Sequence, residues 1–255
     1  MDLPMSLTIL VTGASAGFGA AMVRRFVRDG HRVIATARRA DRLRTIQGEH
    51  GDAVLGFTLD VTQADAVAAL PASLPAGWQQ VDVLVNNAGL ARGLDPAYRS
   101  KVADWDEMVA TNVTGLMHMT HALLPGMVER NRGHIINLSS TAAIYPYPGG
   151  HVYGASKAFV TQFSMNLRAD LVGTGVRVTD LEPGLVGGTE FSVRRFGGDA
   201  ARAKAVYEGT VPLTAEDIAE AAAWVISLPP HMNVNRMELM PTCQAPGPLA
   251  VKRNR

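Results

Sequence analysis

The chain has 255 residues, 47% hydrophobic and 18% charged, a globular balance that excludes disorder and suits one α/β domain with a large core. A formal net charge of +1 gives no electrostatic case for nucleic acid or an anionic membrane as partner, and no apolar stretch approaches the ~20 residues of a membrane helix. The single cysteine, Cys243, excludes an intramolecular disulfide and a cysteine-rich metal site.

Short β-rich runs then alternate with longer helical patterns. The first strand, residues 7–11, enters Thr12-Gly-Ala-Ser-Ala-Gly-Phe-Gly19 and a helical pattern over 17–29. Gly13, Gly17 and Gly19 let a backbone approach a pyrophosphate, and the helix N-terminus supplies donors and a favourable dipole. Ser15 and Phe18 lie in the same loop. A tight strand-to-helix turn without ligand is the alternative, but the place in the first βα unit favours a dinucleotide. The second strand, 32–36, is followed by Arg38 and Arg39 with no acid before Asp41. An NAD site usually carries an acid there for the ribose hydroxyl, whereas two guanidinium groups, with the Ser15 hydroxyl, suit a 2′-phosphate. NADP(H) is therefore expected, unless the arginines only open the solvated helix 40–50. The third strand, 54–59, delivers Asp60 and Val61, where Asp60 can accept from an adenine amino group or cap the pattern at 63–70. The fourth, 81–85, ends in Asn86-Asn87-Ala88-Gly89, at the carboxyl end of a central strand where open sheets bind ligands.

A long helical pattern covers 103–129, followed by a strand at 133–138, a helix at 152–172, a strand at 176–181, a helix at 215–227 and a strand at 236–240. Strands apolar along their whole length and separated by helices predict a doubly wound parallel sheet of about seven strands with helices on both faces. No linker or repeat divides the chain, so residues 1–255 form one domain. Its cofactor half is about 1–130 and its catalytic and substrate half about 131–255.

In Tyr153-Gly-Ala-Ser-Lys157 the two outer residues share a helix face, which sets the ammonium beside the phenol. A nearby cation lowers a phenol's pKa from ~10 and yields an acid/base near neutral pH. Such pairs also occur by chance on helix surfaces. Ser140, on a loop after an apolar strand, can bond the same substrate oxygen. His118 and His121 are three apart with no evident third ligand, so no metal is expected. Residues 1–7 lack the basic n-region of a secretory signal, and a cytoplasmic protein is expected.

T-G-x-x-x-G-x-G, N-N-A-G, Asn112, Ser140, Tyr153-x-x-x-Lys157 and Pro183-Gly184 follow one another as in the short-chain dehydrogenase/reductase family, which the chain resembles over essentially its whole length. More narrowly, Leu-Leu-Pro-Gly-Met-Val-Glu-Arg-Asn at 123–131 and Asp-Leu-Glu-Pro-Gly-Leu-Val-Gly-Gly-Thr-Glu-Phe at 180–191 resemble the NADP-dependent 3-hydroxy acid dehydrogenases, also described as L-allo-threonine or serine dehydrogenases. Glu182 is a mark of that subgroup. The resemblance implies a Rossmann fold with Tyr153 as general acid/base. Lys157 would lower its pKa and hold the nicotinamide ribose, and Ser140 would polarise the substrate oxygen. Asn112 would anchor a water linking Lys157 to solvent, or sit as a polar residue in a helix kink. Ser140 fits better than Ser139 because the family's serine lies thirteen positions before its tyrosine.

By the same resemblance Asn87, Ala88 and Gly89 belong to the cofactor site, as do Pro183, Gly184, Val186 and Thr189 around the carboxamide. Substrate would meet Ser140, Gly184, Tyr147 and His151, and Arg195 would clamp a carboxylate. Arg194 and Arg195 also read as solvent-facing, and the Pro/Gly run before Tyr153 as plain loop. A homotetramer is implied, with the helices at 103–129 and 152–172 paired across a two-fold axis; Met108, Leu116, Met119, Phe159 and Phe163 are apolar positions that serve that interface or the core. The tail after Cys243 lies across a neighbouring subunit or is disordered. The expected substrates are short 3-hydroxy acids, including serine and allo-threonine, and in reverse a semialdehyde. The alternatives are a carbonyl reductase for neutral ketones, 3-oxoacyl thioesters or sulfonated aldehydes, and a non-catalytic NADP-sensing protein.

Overall fold

The computed structural model describes residues 6–247, so the tail beyond them and residues 1–5 lie outside the described part. Seven parallel strands, β1 (Thr8–Thr12), β2 (Arg32–Ala37), β3 (Val54–Thr58), β4 (Val83–Asn86), β5 (Gly133–Leu138), β6 (Val176–Pro183) and β7 (Arg236–Leu239), form one sheet in the order β3-β2-β1-β4-β5-β6-β7. Successive residues point to opposite faces. Ile9, Val11, Val33 and Ala35 therefore pack into one core, while Leu10 and Ile34 pack into the other.

The first core is covered by α1 (Gly17–Arg28), α2 (Ala40–His50) and α9 (Ala215–Ser227), with Met22, Phe26, Leu43, Ile218 and Val225 in its interior. The second is covered by α3 (Ala64–Ser73), α5 (Leu116–Glu129) and α6 (His151–Asp170), with Leu70, Met119, Met127 and Leu167 inside. Thr214 and Asp217 close a reciprocal cap at the start of α9. The chain leaves the sheet at the β3 edge and returns beside β1 as β4. This reversal opens a crevice at the carboxyl ends of β1 and β4.

The long helix expected over 103–129 is two helices, α4 (Val102–Val109) and α5, joined by a π-helical turn at Ala110–Gly115. Asn112 lies in that turn, buried, and clasps both the N–H and the C=O of Leu90 at 2.9 Å while donating to Ser156 Oγ at 3.0 Å. The kink expected at Asn112 is present, and these bonds satisfy its amide. Two short helices, α7 (Phe191–Arg195) and α8 (Ala200–Ala205), occupy the glycine-rich segment that lacks periodicity. Met108, Leu116 and Met119 are buried in the protein's own core, which leaves Phe159, stacked on Phe163 at 5.8 Å, as the exposed part of the apolar stripe. Among the described residues no helix is long and apolar enough to cross a membrane.

Candidate active site

Two sequence motifs form one structure at the crevice. Thr12 Oγ1 accepts the N–H groups of Asn87 and Ala88 at 3.0 and 2.9 Å, and the Asn87 amide donates back to Thr12 O at 2.8 Å. Gly13 has φ +66°, and a Cβ on Gly19 would lie 2.5 Å from Gly13 O, so α1 approaches the loop only because position 19 has no side chain. The N-terminus of α1 thus faces a cavity of about 410 Å³. Gly13, Ser15, Gly17, Phe18, Arg38, Arg39, Asp60, Val61, Asn87, Ala88 and Gly89 line it, together with Tyr153, Lys157 and Thr189. Gly19 and Asn112 lie behind the wall as packing elements.

The two arginines have different roles. Arg39 donates to Ser15 Oγ at 3.0 and 3.2 Å and pairs with Glu190, so it holds the glycine loop. Arg38 makes no hydrogen bond or ion pair among the described residues and lines the cavity as an available cation. One carboxylate oxygen of Asp60 accepts both the N–H and the hydroxyl of Thr62, at 3.0 and 2.9 Å. Asp60 therefore stabilises the turn before α3, whose N-cap is Gln63.

Ser140, Tyr153 and Lys157 meet at the junction with a second cavity of about 530 Å³. Phe18, Ser139, Tyr153, Thr189 and Phe191 line both spaces. Ser140 lines the second cavity, donates to Pro183 O at 3.2 Å and accepts from Ala142 N–H. Ser139 is committed elsewhere: its hydroxyl donates to Lys157 O and lies 2.9 Å from Thr161 Oγ1.

The expected lowering of the Tyr153 pKa by Lys157 is not what the protein's own groups produce. Burial, followed by the neighbouring Tyr147, pushes the phenol up to about 12, against a hydrogen bond to Ser140 and the positive charge of Arg195. Lys157 Nζ lies 5.9 Å from the Tyr153 ring centroid and donates to Leu138 O at 2.6 Å. Burial lowers Lys157 to about 8, with Asp180 opposing the shift.

Beneath Lys157 the buried stripe of α6 is polar, with Thr161 and Ser164 following at helical spacing. Ser164 accepts from Asn137, and Thr161 donates to Glu182 at 3.1 Å. Arg236 holds the same buried carboxylate through two bonds of 3.0 and 2.9 Å. Asp180, also fully buried, has its pKa raised by burial and by Glu182.

Pro183, Gly184 and Val186 line the second cavity with Tyr147 and Arg195. Arg195 is not a surface residue pointing into solvent. It donates to Gly93 O at 2.9 Å and Tyr147 Oη at 2.8 Å, with its guanidinium carbon 5.6 Å from the Tyr153 ring centroid. Arg194 turns the other way and lines the first cavity. His151 is a correction: it lines neither cavity. It lies 3.0 Å from Ser100 Oγ and edge-on to Trp105, because as the first residue of α6 it faces the segment before α4.

Several lining residues carried no local signal in the sequence. Phe191 packs over Tyr153 at 5.8 Å, Tyr207 bonds Ser192 at 2.6 Å, and Gln244 Oε1 accepts the Leu185 N–H at 2.7 Å. Cys243, Gln244, Ala245 and Gly247 thus wall the second cavity in their own chain.

A family model described as short chain dehydrogenase matches residues 7–197. The chain belongs to the short-chain dehydrogenases. This dehydrogenase is 59% identical to the protein named NADP-dependent 3-hydroxy acid dehydrogenase YdfG of Salmonella typhi, over 97% of its own length and all of that protein. It is 51% identical to the Serine 3-dehydrogenase of Agrobacterium fabrum, over 94% of its length and 96% of that protein. The solved structure described as the closed form of serine dehydrogenase complexed with NADP+ superposes with a TM-score of 0.95 at 56% identity, covering 97% of the dehydrogenase and 100% of that chain.

Proposed function

We propose that the protein is an NADP-dependent oxidoreductase that interconverts short 3-hydroxy acids, serine and allo-threonine among them, with their 3-oxo acids or semialdehydes. The observation that carries the reading is the guanidinium of Arg195, held over the Tyr153 ring and facing the second cavity. The names of the related proteins point to the same substrate class.

The glycine loop and the N-terminus of α1 would hold the pyrophosphate, and Arg38 together with Arg39 the 2′-phosphate. Lys157 would hold the nicotinamide ribose. The close approach of backbone at Gly13 and Gly19 fits such a group. When bound, NADP supplies the hydride acceptor or donor. Ser140 orients the substrate oxygen, Tyr153 takes its proton in oxidation and returns it in reduction, and the Lys157 cation stabilises the phenolate. Arg195, braced by Gly93 and Tyr147, binds the carboxylate and fixes which carbon faces the nicotinamide. A homotetramer, with the Phe159–Phe163 patch in a helix-pairing interface, belongs to the same proposal, as does a cytoplasmic location.

The test follows NADPH formation with L-serine, L-allo-threonine, 3-hydroxypropionate and the neutral alcohol 2-butanol. Tyr153→Phe should lose about 10²–10⁴-fold on every active substrate. Arg195→Ala should lose about 10- to 100-fold on the acids alone, the worth of a charged hydrogen-bond partner. Undiminished turnover of the acids in Arg195→Ala would reject the carboxylate clamp. Activity confined to 2-butanol would make the protein a carbonyl reductase.

A further inference from the structure

Glu190, the residue just before α7, carries a carboxylate that the catalytic reading leaves unused. It reaches across to the nucleotide cavity and pairs with Arg39 at 3.1 Å, Arg42 at 3.3 Å and Arg194 at 2.5 Å. These arginines come from two places: Arg39 and Arg42 from the N-cap and first turn of α2, and Arg194 from α7. Glu190 also lines the first cavity beside Arg38 and Arg39. Against a burial cost, Arg194 and Arg39 hold its carboxyl below the ordinary value, so it is an anion at neutral pH. An internal carboxylate thus occupies Arg39 at the edge where a 2′-phosphate would bind.

Ser15 gives Arg39 a second anchor that does not depend on Glu190. Arg39 therefore stays in place if the acid leaves. A phosphate monoester brings about two negative charges and three acceptor oxygens against the single charge of a carboxylate.

We propose that Glu190 is a built-in competitor for the 2′-phosphate of NADP(H). As the phosphate takes Arg39, Glu190 keeps Arg194, its neighbour one helical turn on, and the exposed Arg42. A cofactor lacking the phosphate leaves the pair with Arg39 in place. Glu190 thus limits how strongly the protein favours NADP(H) over NAD(H). This inference rests on the reading that Arg38 and Arg39 form the 2′-phosphate site.

The test titrates NADPH and NADH separately into the wild-type protein, Glu190→Gln and Arg38→Ala, following bound-nucleotide fluorescence. Glu190→Gln keeps the side chain's shape and removes its charge. It should tighten NADPH about three- to fivefold and leave NADH within about twofold, the range of one partly exposed ion pair. Weaker NADPH binding in Glu190→Gln would make the acid a strut that presents the arginines and overturn the proposal. An equal shift for both nucleotides would overturn it too. If Arg38→Ala leaves the NADPH-to-NADH preference unchanged, the phosphate site itself is misplaced and the inference falls with it. If Arg38→Ala lowers the preference while Glu190→Gln fails to raise it, only the role of Glu190 is rejected.

Discussion

In the nucleotide cavity the nearest contact at each of two glycines is backbone: α1 at Gly19 lies against Gly13 O, and Gly13 lies against Ala88 Cα, with the Asn87 amide beside both. In the substrate cavity the corresponding contacts are made by side chains. Gly184 lies against the Gln244 amide, Gly150 against the Tyr147 ring, and Arg195 spans Gly93 and Tyr147. Backbone has few ways to yield, whereas a side chain can turn. The first space is therefore rigid and suited to one ligand. The second can be reshaped by single substitutions without disturbing its neighbour.

The strongest challenge to this contrast is Gly19→Ala. Its methyl group meets Gly13 O at 2.5 Å, Asn87 Nδ2 at 2.7 Å and Ala14 Cα at 2.8 Å, and moving the Asn87 amide aside would leave both backbone contacts. We expect a cost of about 2–3 kcal/mol, read as a roughly 30- to 150-fold loss of NADPH affinity in a binding titration. Unchanged affinity would show that the loop is not rigid.

A pH series probes the junction of the two spaces. The Tyr153 phenol, raised to about 12, keeps its proton across the neutral range, so hydroxyl oxidation must wait for the phenolate. Lys157, lowered to about 8, is a cation below that pH and loses its proton as pH rises through it. Oxidation should climb by up to about tenfold per pH unit from 7 and flatten above about 8. Carbonyl reduction should stay level up to about 8 and decline beyond it. Initial rates in both directions check this, and an oxidation rate independent of pH from 6 to 8 would contradict it.

The smallest effect should come from Gly184→Ala. The new methyl displaces the Gln244 side chain and breaks its bond to Leu185 N–H, worth about 1 kcal/mol. Substrate KM should rise about fivefold while NADPH affinity stays unchanged. A fall in NADPH affinity would show that the two spaces are mechanically joined at this point.

The same contrast explains what could be read from the chain. Gly13, Gly19, Asn87 and the Tyr153–Lys157 pair were legible because each lies at the end of a strand or on a helix whose own pattern places it. The five inner strands were legible because their apolar runs are buried on both faces, while the edge strands β3 and β7 are partly exposed. Asn112 was legible as a kink, although the bonds that hold it come from Leu90 and Ser156, remote in sequence. The Tyr153 pKa was misread because helical spacing brings Lys157 near without showing that its ammonium donates to Leu138 O, or how strongly burial raises the phenol. His151 was misplaced because one helical residue decides whether a side chain at the start of α6 faces the cavity or Trp105. Gln244, Tyr207 and Phe191 reach the second cavity through folds of the chain that no local pattern records. The one local sign in that segment, Asp199 capping α8 through Arg202 N–H, identifies a helix and not a pocket.

Arg236 stands on β7, the last of the seven strands in chain order, and holds the carboxylate of Glu182 beneath α6. During synthesis the chain emerges from its amino end, so strands β1 to β4 and their glycine loop are complete long before this cation exists. Until it arrives, Glu182 and Asp180 are two acids with no guanidinium to balance them, and water is the better environment for both. The charge balance beneath α6 is therefore completed only by a strand made after the whole nucleotide cradle.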